Sequence, residues 1–152
     1  MTPATEGRSW ESFFAPAAAA SGGETVNRFL WICLGGAAGT GARYLLGGWV
    51  LGVFGSLLPF ETLAVNVIGS FLISAIMHVA LATRAISPTL RLVLTTGFLG
   101  GFTTYSSFNY ETVKLAQDGA FPVAALYVAV MLLGCLAAGF AGFWVGRLVV
   151  GG

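Results

Sequence analysis

Charge is the scarcest property of this sequence. Asp, Glu, Lys and Arg together make up 9% of its 152 residues. A soluble domain carries roughly 25%, so a soluble globular protein is excluded. The net charge is +1 and no basic block occurs, which removes the electrostatic footprint of nucleic-acid binding. Cysteine is nearly missing too. Cys33 and Cys135 lie in different apolar runs, so neither a disulfide framework nor a CxxC metal site can form. Cys33 is read as a small helix-packing residue. The lone histidine, His78, has no second ligand in its apolar surroundings and is read as a packed or interfacial residue. There is no nucleotide-binding loop, no pair of carboxylates on one helix face and no Ser/His/Asp set, so no enzyme is expected.

What the chain has is hydrophobicity, at 57% of residues. One domain is the default at this length. Residues 1–25 are rich in Ala, Gly, Ser and Glu, and Glu6 and Glu11 offset Arg8. With no basic lead and only a short Ala17–Ala20 run, this reads as a disordered tail and not as a cleaved signal. Residues 28–150 read as a membrane domain. A span needs about 20 apolar residues, and four segments supply them, at about 28–50, 61–82, 90–116 and 121–149.

The first segment is glycine-rich. Gly35 and Gly39 are four apart, giving a smooth face for close helix contact. Arg43 lies about 22 Å beyond Arg28 at helical rise, near the far face, where it can snorkel or line a water-filled entrance. In the second segment Thr62, Asn66, Ser70 and Ser74 recur every four residues, so they share one slowly drifting face. Such a stripe must face protein or water. Asn66 reads either as glue between helices or as a pore-lining donor.

The third segment holds the stretch Gly97–Glu111. Two adjacent glycines are poor helix formers, and the Thr and Ser residues that follow can bond to nearby backbone. Non-helical backbone survives at membrane depth only under cover of protein or water. A break at Gly100-Gly101 therefore points to an ion or substrate site. Beyond it, Tyr105 and Phe108 are three apart and project from one face, flanked by Ser106, Ser107 and Asn109. In the fourth segment Tyr127, Met131 and Cys135 share a face, and Gly142 and Gly146 offer a small-residue contact.

The expected fold is an all-α membrane protein with four transmembrane helices, the third broken at its middle. Four such helices enclose little volume, so a dimer with paths between subunits is expected. Arg8, Arg28, Arg84, Arg91 and Arg147 fall on one side, and Lys114 and Arg43 on the other. That bias favours both termini in the cytoplasm, with insertion in both orientations possible.

Three motifs resemble the CrcB or Fluc fluoride channel family. They are Gly35-x-x-x-Gly39-x-Gly41-Ala42-Arg43-Tyr44, Thr62-Leu63-Ala64-Val65-Asn66-x-x-Gly69-Ser70-Phe71, and the most specific, Gly97-Phe98-Leu99-Gly100-Gly101-Phe102-Thr103-Thr104-Tyr105-Ser106-Ser107-Phe108. The resemblance covers residues 28–149. It implies an antiparallel, inverted dimer in the cell (inner) membrane, with two pores exporting fluoride passively from the cytoplasm. It also implies a structural sodium ion at the dimer centre, held by backbone carbonyls of Gly100 and Thr103 from each subunit. On the fluoride path it places Asn66, Thr104, Tyr105, Ser106, Ser107, Phe108 and Tyr127, with Arg43 concentrating anions at a vestibule. Glu111, with Thr62, takes a gating or structural role. The partners implied are fluoride, the lipid bilayer and a second subunit, either an identical copy or a paired homologue.

Two departures from the family pattern stand out. Tyr105 replaces a phenylalanine, which keeps the ring edge and adds a hydroxyl, so altered affinity or rate is expected. Met131 and Cys135 follow Tyr127 where serines are usual, and sulfur is a much weaker partner for fluoride than a hydroxyl. A slower channel is expected, or one fully formed pore in a two-gene pair. From another class, a proton-coupled exporter of the small multidrug resistance type also pairs four-helix subunits. It needs a buried carboxylate in its first helix, where this sequence carries Arg43.

Overall fold

The computed structural model describes residues 22–56, 58–83 and 85–151. Among these residues there are helices and connecting turns but no strand. Helix α1 spans Gly22–Phe54 and α2 spans Phe60–Ala82. The third segment is composite. A short α3, Pro88–Leu92, widens into a π-helical stretch, Val93–Leu99, then tightens into α4, Gly100–Phe102. After two extended residues it resumes as α5, Tyr105–Gln117. Helix α6 spans Phe121–Gly151. Among the described residues, α2 and α6 are long and apolar enough to cross a membrane by length and composition.

Local chemistry sets the ends. Gly55, at φ 73°, terminates α1, and its N–H reaches the Leu51 carbonyl at 2.9 Å. The Thr83 N–H and hydroxyl both donate to the Val79 carbonyl at the end of α2. Ser87 caps α3 by accepting the Leu90 N–H at 3.2 Å, with Pro88 following in the first turn, where its missing N–H costs nothing. Gly119, at φ 80°, closes α5 in the left-handed conformation that glycine adopts freely, and Lys114 pairs with Asp118 one turn earlier.

Two seams hold the helices together, and both depend on missing side chains. A Cβ on Gly39 of α1 would collide with the Phe98 carbonyl oxygen of the π-helical stretch. A Cβ on Gly142 of α6 would collide with the Phe71 carbonyl of α2. Backbones therefore touch directly, which is how helices gain van der Waals contact in lipid. Val65, Leu99 and Phe102 form one buried cluster; Phe108, Tyr127 and Met131 form another. The outside is apolar as well. Phe29, Trp31, Leu45 and Trp49 of α1 and Leu133, Leu136, Phe140 and Trp144 of α6 are all exposed.

Several expectations need revision. Helix α1 begins at Gly22, inside the stretch read as tail. Residues 1–21, and with them most of that tail, lie outside the described residues, as do Arg8 and Arg84 of the charge comparison. Cys33 is exposed on α1 and is not packed between the helices of a single chain. His78 packs edge-on against Phe143, with ring centroids 4.8 Å apart. The paired glycines do not unwind the third segment. Gly100 is helical, at φ −63° and ψ −36°, and a Cβ on Gly101 would collide with the Gly36 carbonyl. These glycines serve close packing on α1. The extended residues are Thr103 and Thr104.

Candidate functional site

The site is built on the interruption at Thr103–Thr104. Two extended residues between helices leave backbone groups without helical partners, and each must find another. Asn66 of α2 answers for Thr104. Its Nδ2 donates to the Thr104 carbonyl at 2.9 Å, and its Oδ1 accepts the Thr104 N–H at 2.8 Å. One carboxamide thus bonds both the N–H and the carbonyl of one residue, across 38 residues of sequence. The Thr104 side chain starts α5 by accepting the Ser107 N–H at 3.2 Å. Its hydroxyl donates to Ser107 Oγ at 3.1 Å and lies 3.2 Å from Ser106 Oγ.

These bonds have a consequence for two carbonyls. In a continuous helix the Thr104 N–H would bond to Gly100, and the Ser107 N–H to Thr103. Here the first goes to Asn66 and the second to the Thr104 hydroxyl. The Gly100 and Thr103 carbonyl oxygens are therefore deprived of their helical donors. They are the hard oxygens that a small cation accepts.

Two cavities flank the Asn66–Thr104 pair. The first, about 980 Å³, is lined by Asn66, Thr103, Tyr105, Phe108, Met131 and Cys135, among mostly apolar neighbours. The second, about 870 Å³, is lined by Arg43, Glu61, Thr62, Thr104, Ser106, Ser107 and Glu111. Asn66 lines one and Thr104 the other, so their hydrogen-bonded pair forms a shared wall.

Aromatic rings run along the first cavity. Tyr105 and Phe108 meet edge to face at 5.6 Å between centroids, and Phe108 contacts Tyr127 at 5.4 Å. Phe108 is 7% exposed, whereas Tyr105 is 76% exposed. Below them Glu111 is clamped by two hydroxyls. Thr62 Oγ1 donates to its Oε1 at 2.6 Å, and the Tyr127 hydroxyl donates to its Oε2 at 2.7 Å. This ties α2, α5 and α6 together behind the rings. The remaining Asn66 N–H points at Met131 Sδ, 3.7 Å away. A thioether is a weak acceptor, so that hydrogen is lightly held.

All twelve residues singled out by sequence fall around these two cavities or on the hydrogen bonds that join them. Glu61 was missed. It lines the second cavity with Arg43 and Glu111, and its Oε2 is buried without a hydrogen-bond partner. An acid in the first turn of a helix has a ready explanation in the helix dipole. Its position beside Thr62 was the available signal.

A small chain that is helical throughout its described residues, with an apolar exterior and polar groups gathered at an interrupted segment, defines an integral membrane protein. A family model described as "CrcB-like protein, Camphor Resistance (CrcB)" matches residues 30–143. Similar proteins include the "Fluoride-specific ion channel FluC" of Anaeromyxobacter dehalogenans, 52% identical over 124 residues, covering 82% of this chain and 98% of that protein. The FluC of Sorangium cellulosum is 51% identical over 127 residues, covering 84% and 100% respectively. That of Geobacter sulfurreducens is 52% identical over 122 residues, covering 80% and 98%. The chain belongs to the CrcB family.

Proposed function

We propose that this chain forms a fluoride-selective passive channel. The observation that carries the reading is the Asn66–Thr104 pair. It leaves one amide hydrogen on a weak sulfur acceptor between a hydroxyl-lined cavity and a ring-lined one. Fluoride is small and strongly hydrated, so its water must be replaced by compact donors. Arg43 raises the local anion concentration. The hydroxyls of Thr104, Ser106 and Ser107 replace the first waters. The lightly held Asn66 hydrogen turns from Met131 to the ion. The ring edges of Tyr105 and Phe108 carry positive potential and supply the rest. The hydroxyls of Thr62 and Tyr127 keep Glu111 engaged and position α5, so its carboxylate is not directed at the anion.

Two inverted subunits in the cell membrane, with a path on each side, complete the reading. The large exposed apolar surface of α6 and the openness of the ring-lined cavity support it, because a second subunit would cover both. A structural sodium ion fits the interruption. The carbonyls of Gly100 and Thr103 from two subunits would provide four oxygens, and the ion would pin the third segments together. The charge bias favours both termini in the cytoplasm. The exporter alternative gains no support, since α1 carries no acid between residues 28 and 50.

Liposome efflux tests the proposal. Purified protein alone should release fluoride far faster than chloride, with no proton gradient. Equal release of the two anions, or none, would sink it. Replacing sodium on both sides by a bulky organic cation should reduce the flux; unchanged flux would remove the sodium assignment.

A further inference from the structure

Met131 and Cys135 stand one helical turn apart on α6, and both line the ring-walled cavity. The Cys135 thiol donates to Met131 Sδ across 3.9 Å. Met131 is 3% exposed and Cys135 is half-buried beside it. We propose that this thiol–thioether pair is a binding site for a soft monovalent metal ion of the Cu⁺ or Ag⁺ class.

Three physical arguments support the assignment. The first is ligand type: thiolate and thioether sulfurs select soft monovalent metal over hard cations. The second is geometry. The thiol hydrogen already lies between two sulfurs, so the metal takes its place: the S–H bond breaks, an S–metal bond forms and one proton leaves, with no change of oxidation state. Sulfurs 3.9 Å apart would hold a bridging ion at a bent S–metal–S angle. The unbranched Met131 side chain can widen that angle by small torsional changes. The third is charge. A thiolate and a monovalent ion sum to zero, so an apolar cavity accepts the product without burying net charge. A divalent ion would leave an unpaired positive charge there, which is costly.

The second thiol provides the control. Cys33 is exposed on α1 and, among the described residues, has no hydrogen-bonded sulfur neighbour. The metal would sit beside the Asn66 hydrogen that points at Met131. That occupancy blocks fluoride rests on the proposed path; that the metal binds does not.

The probe is silver nitrate, added to purified protein in chloride-free buffer. Bound silver is counted by mass spectrometry after desalting, and fluoride efflux is followed in parallel. Cys33→Ser should retain one silver per chain, and silver should abolish its efflux. Cys33→Ser/Cys135→Ser should bind none, and its own flux should resist at least tenfold more silver. Met131→Leu, made in Cys33→Ser, should weaken binding by at least tenfold. Silver retained after loss of Cys135, or bound only through Cys33, would overturn the site. If the wild-type chain carries no fluoride at all, the silver count still decides the proposal.

Discussion

The two cavities share a wall and little else. One is edged by Arg43, Glu61, Glu111 and a group of hydroxyls; the other by aromatic rings, aliphatic side chains and two sulfurs. The polar side can take an anion from water with little loss of solvation. The apolar side offers ring edges, one amide hydrogen and a few hydroxyl residues, Ser70, Ser74 and Thr103 among them. On the proposed path the decisive desolvation falls at the wall itself, where Asn66 replaces the helical partner of the Thr104 N–H. On that reading a residue that bonds backbone on one side and offers a spare donor on the other would connect fold to function directly.

The largest effect should come from removing that wall. Asn66→Leu leaves the Thr104 N–H unpaired, at about 1–3 kcal/mol, and takes one of two donors from the Thr104 carbonyl, which as the helix cap keeps its α5 partner. It should lower the unfolding temperature in detergent and cut fluoride efflux at least 100-fold. Retained stability with retained flux would show that the pair does neither job. Next in size is the seam that positions the interruption. Gly39→Val drives a side chain into the Phe98 carbonyl, and overpacking of this kind costs about 1–3 kcal/mol. Thermal unfolding should register it, and flux should fall with the displaced third segment.

A smaller change should appear on the polar side. Glu61→Gln removes one negative charge from the Arg43 cavity. Entry of fluoride should rise about two- to fivefold at low ionic strength, and the gain should shrink as salt screens the field. A gain that ignores salt would mean Glu61 acts through packing. Smallest of all, Tyr105→Phe keeps the ring and removes only an exposed hydroxyl. Stability should change by less than about 0.5 kcal/mol, and flux by no more than a few-fold. A large loss would make that hydroxyl part of the path.

Helicity and membrane-length segments were legible because composition and apolar run length report them directly. The seams were legible for a related reason: Gly35 and Gly39, or Gly142 and Gly146, recur at the spacing of one helix face, and that spacing survives folding. Local propensity misplaced the interruption. Gly100 and Gly101 are weak helix formers, yet packing against α1 uses their small size and keeps them helical. The chain departs from helix at Thr103 and Thr104, where one threonine hydroxyl caps α5 and a partner 38 residues away satisfies the backbone. No window of sequence contains both halves of that bond. Glu61 was hidden for a similar reason. Its neighbours in the second cavity come from α1 and α5, while its own helix offers an ordinary first-turn role. Cys33 shows the converse: in lipid, an apolar run does not reveal which face turns inward.

The most direct test of the account is the zero-current voltage of the purified chain in a planar bilayer, with fluoride on one side and chloride on the other. On the proposed path the anion must be small enough to be held by one amide hydrogen and two ring edges, so the voltage should lie far toward the fluoride equilibrium value. A voltage near zero, with the two anions carrying equal current, would contradict it.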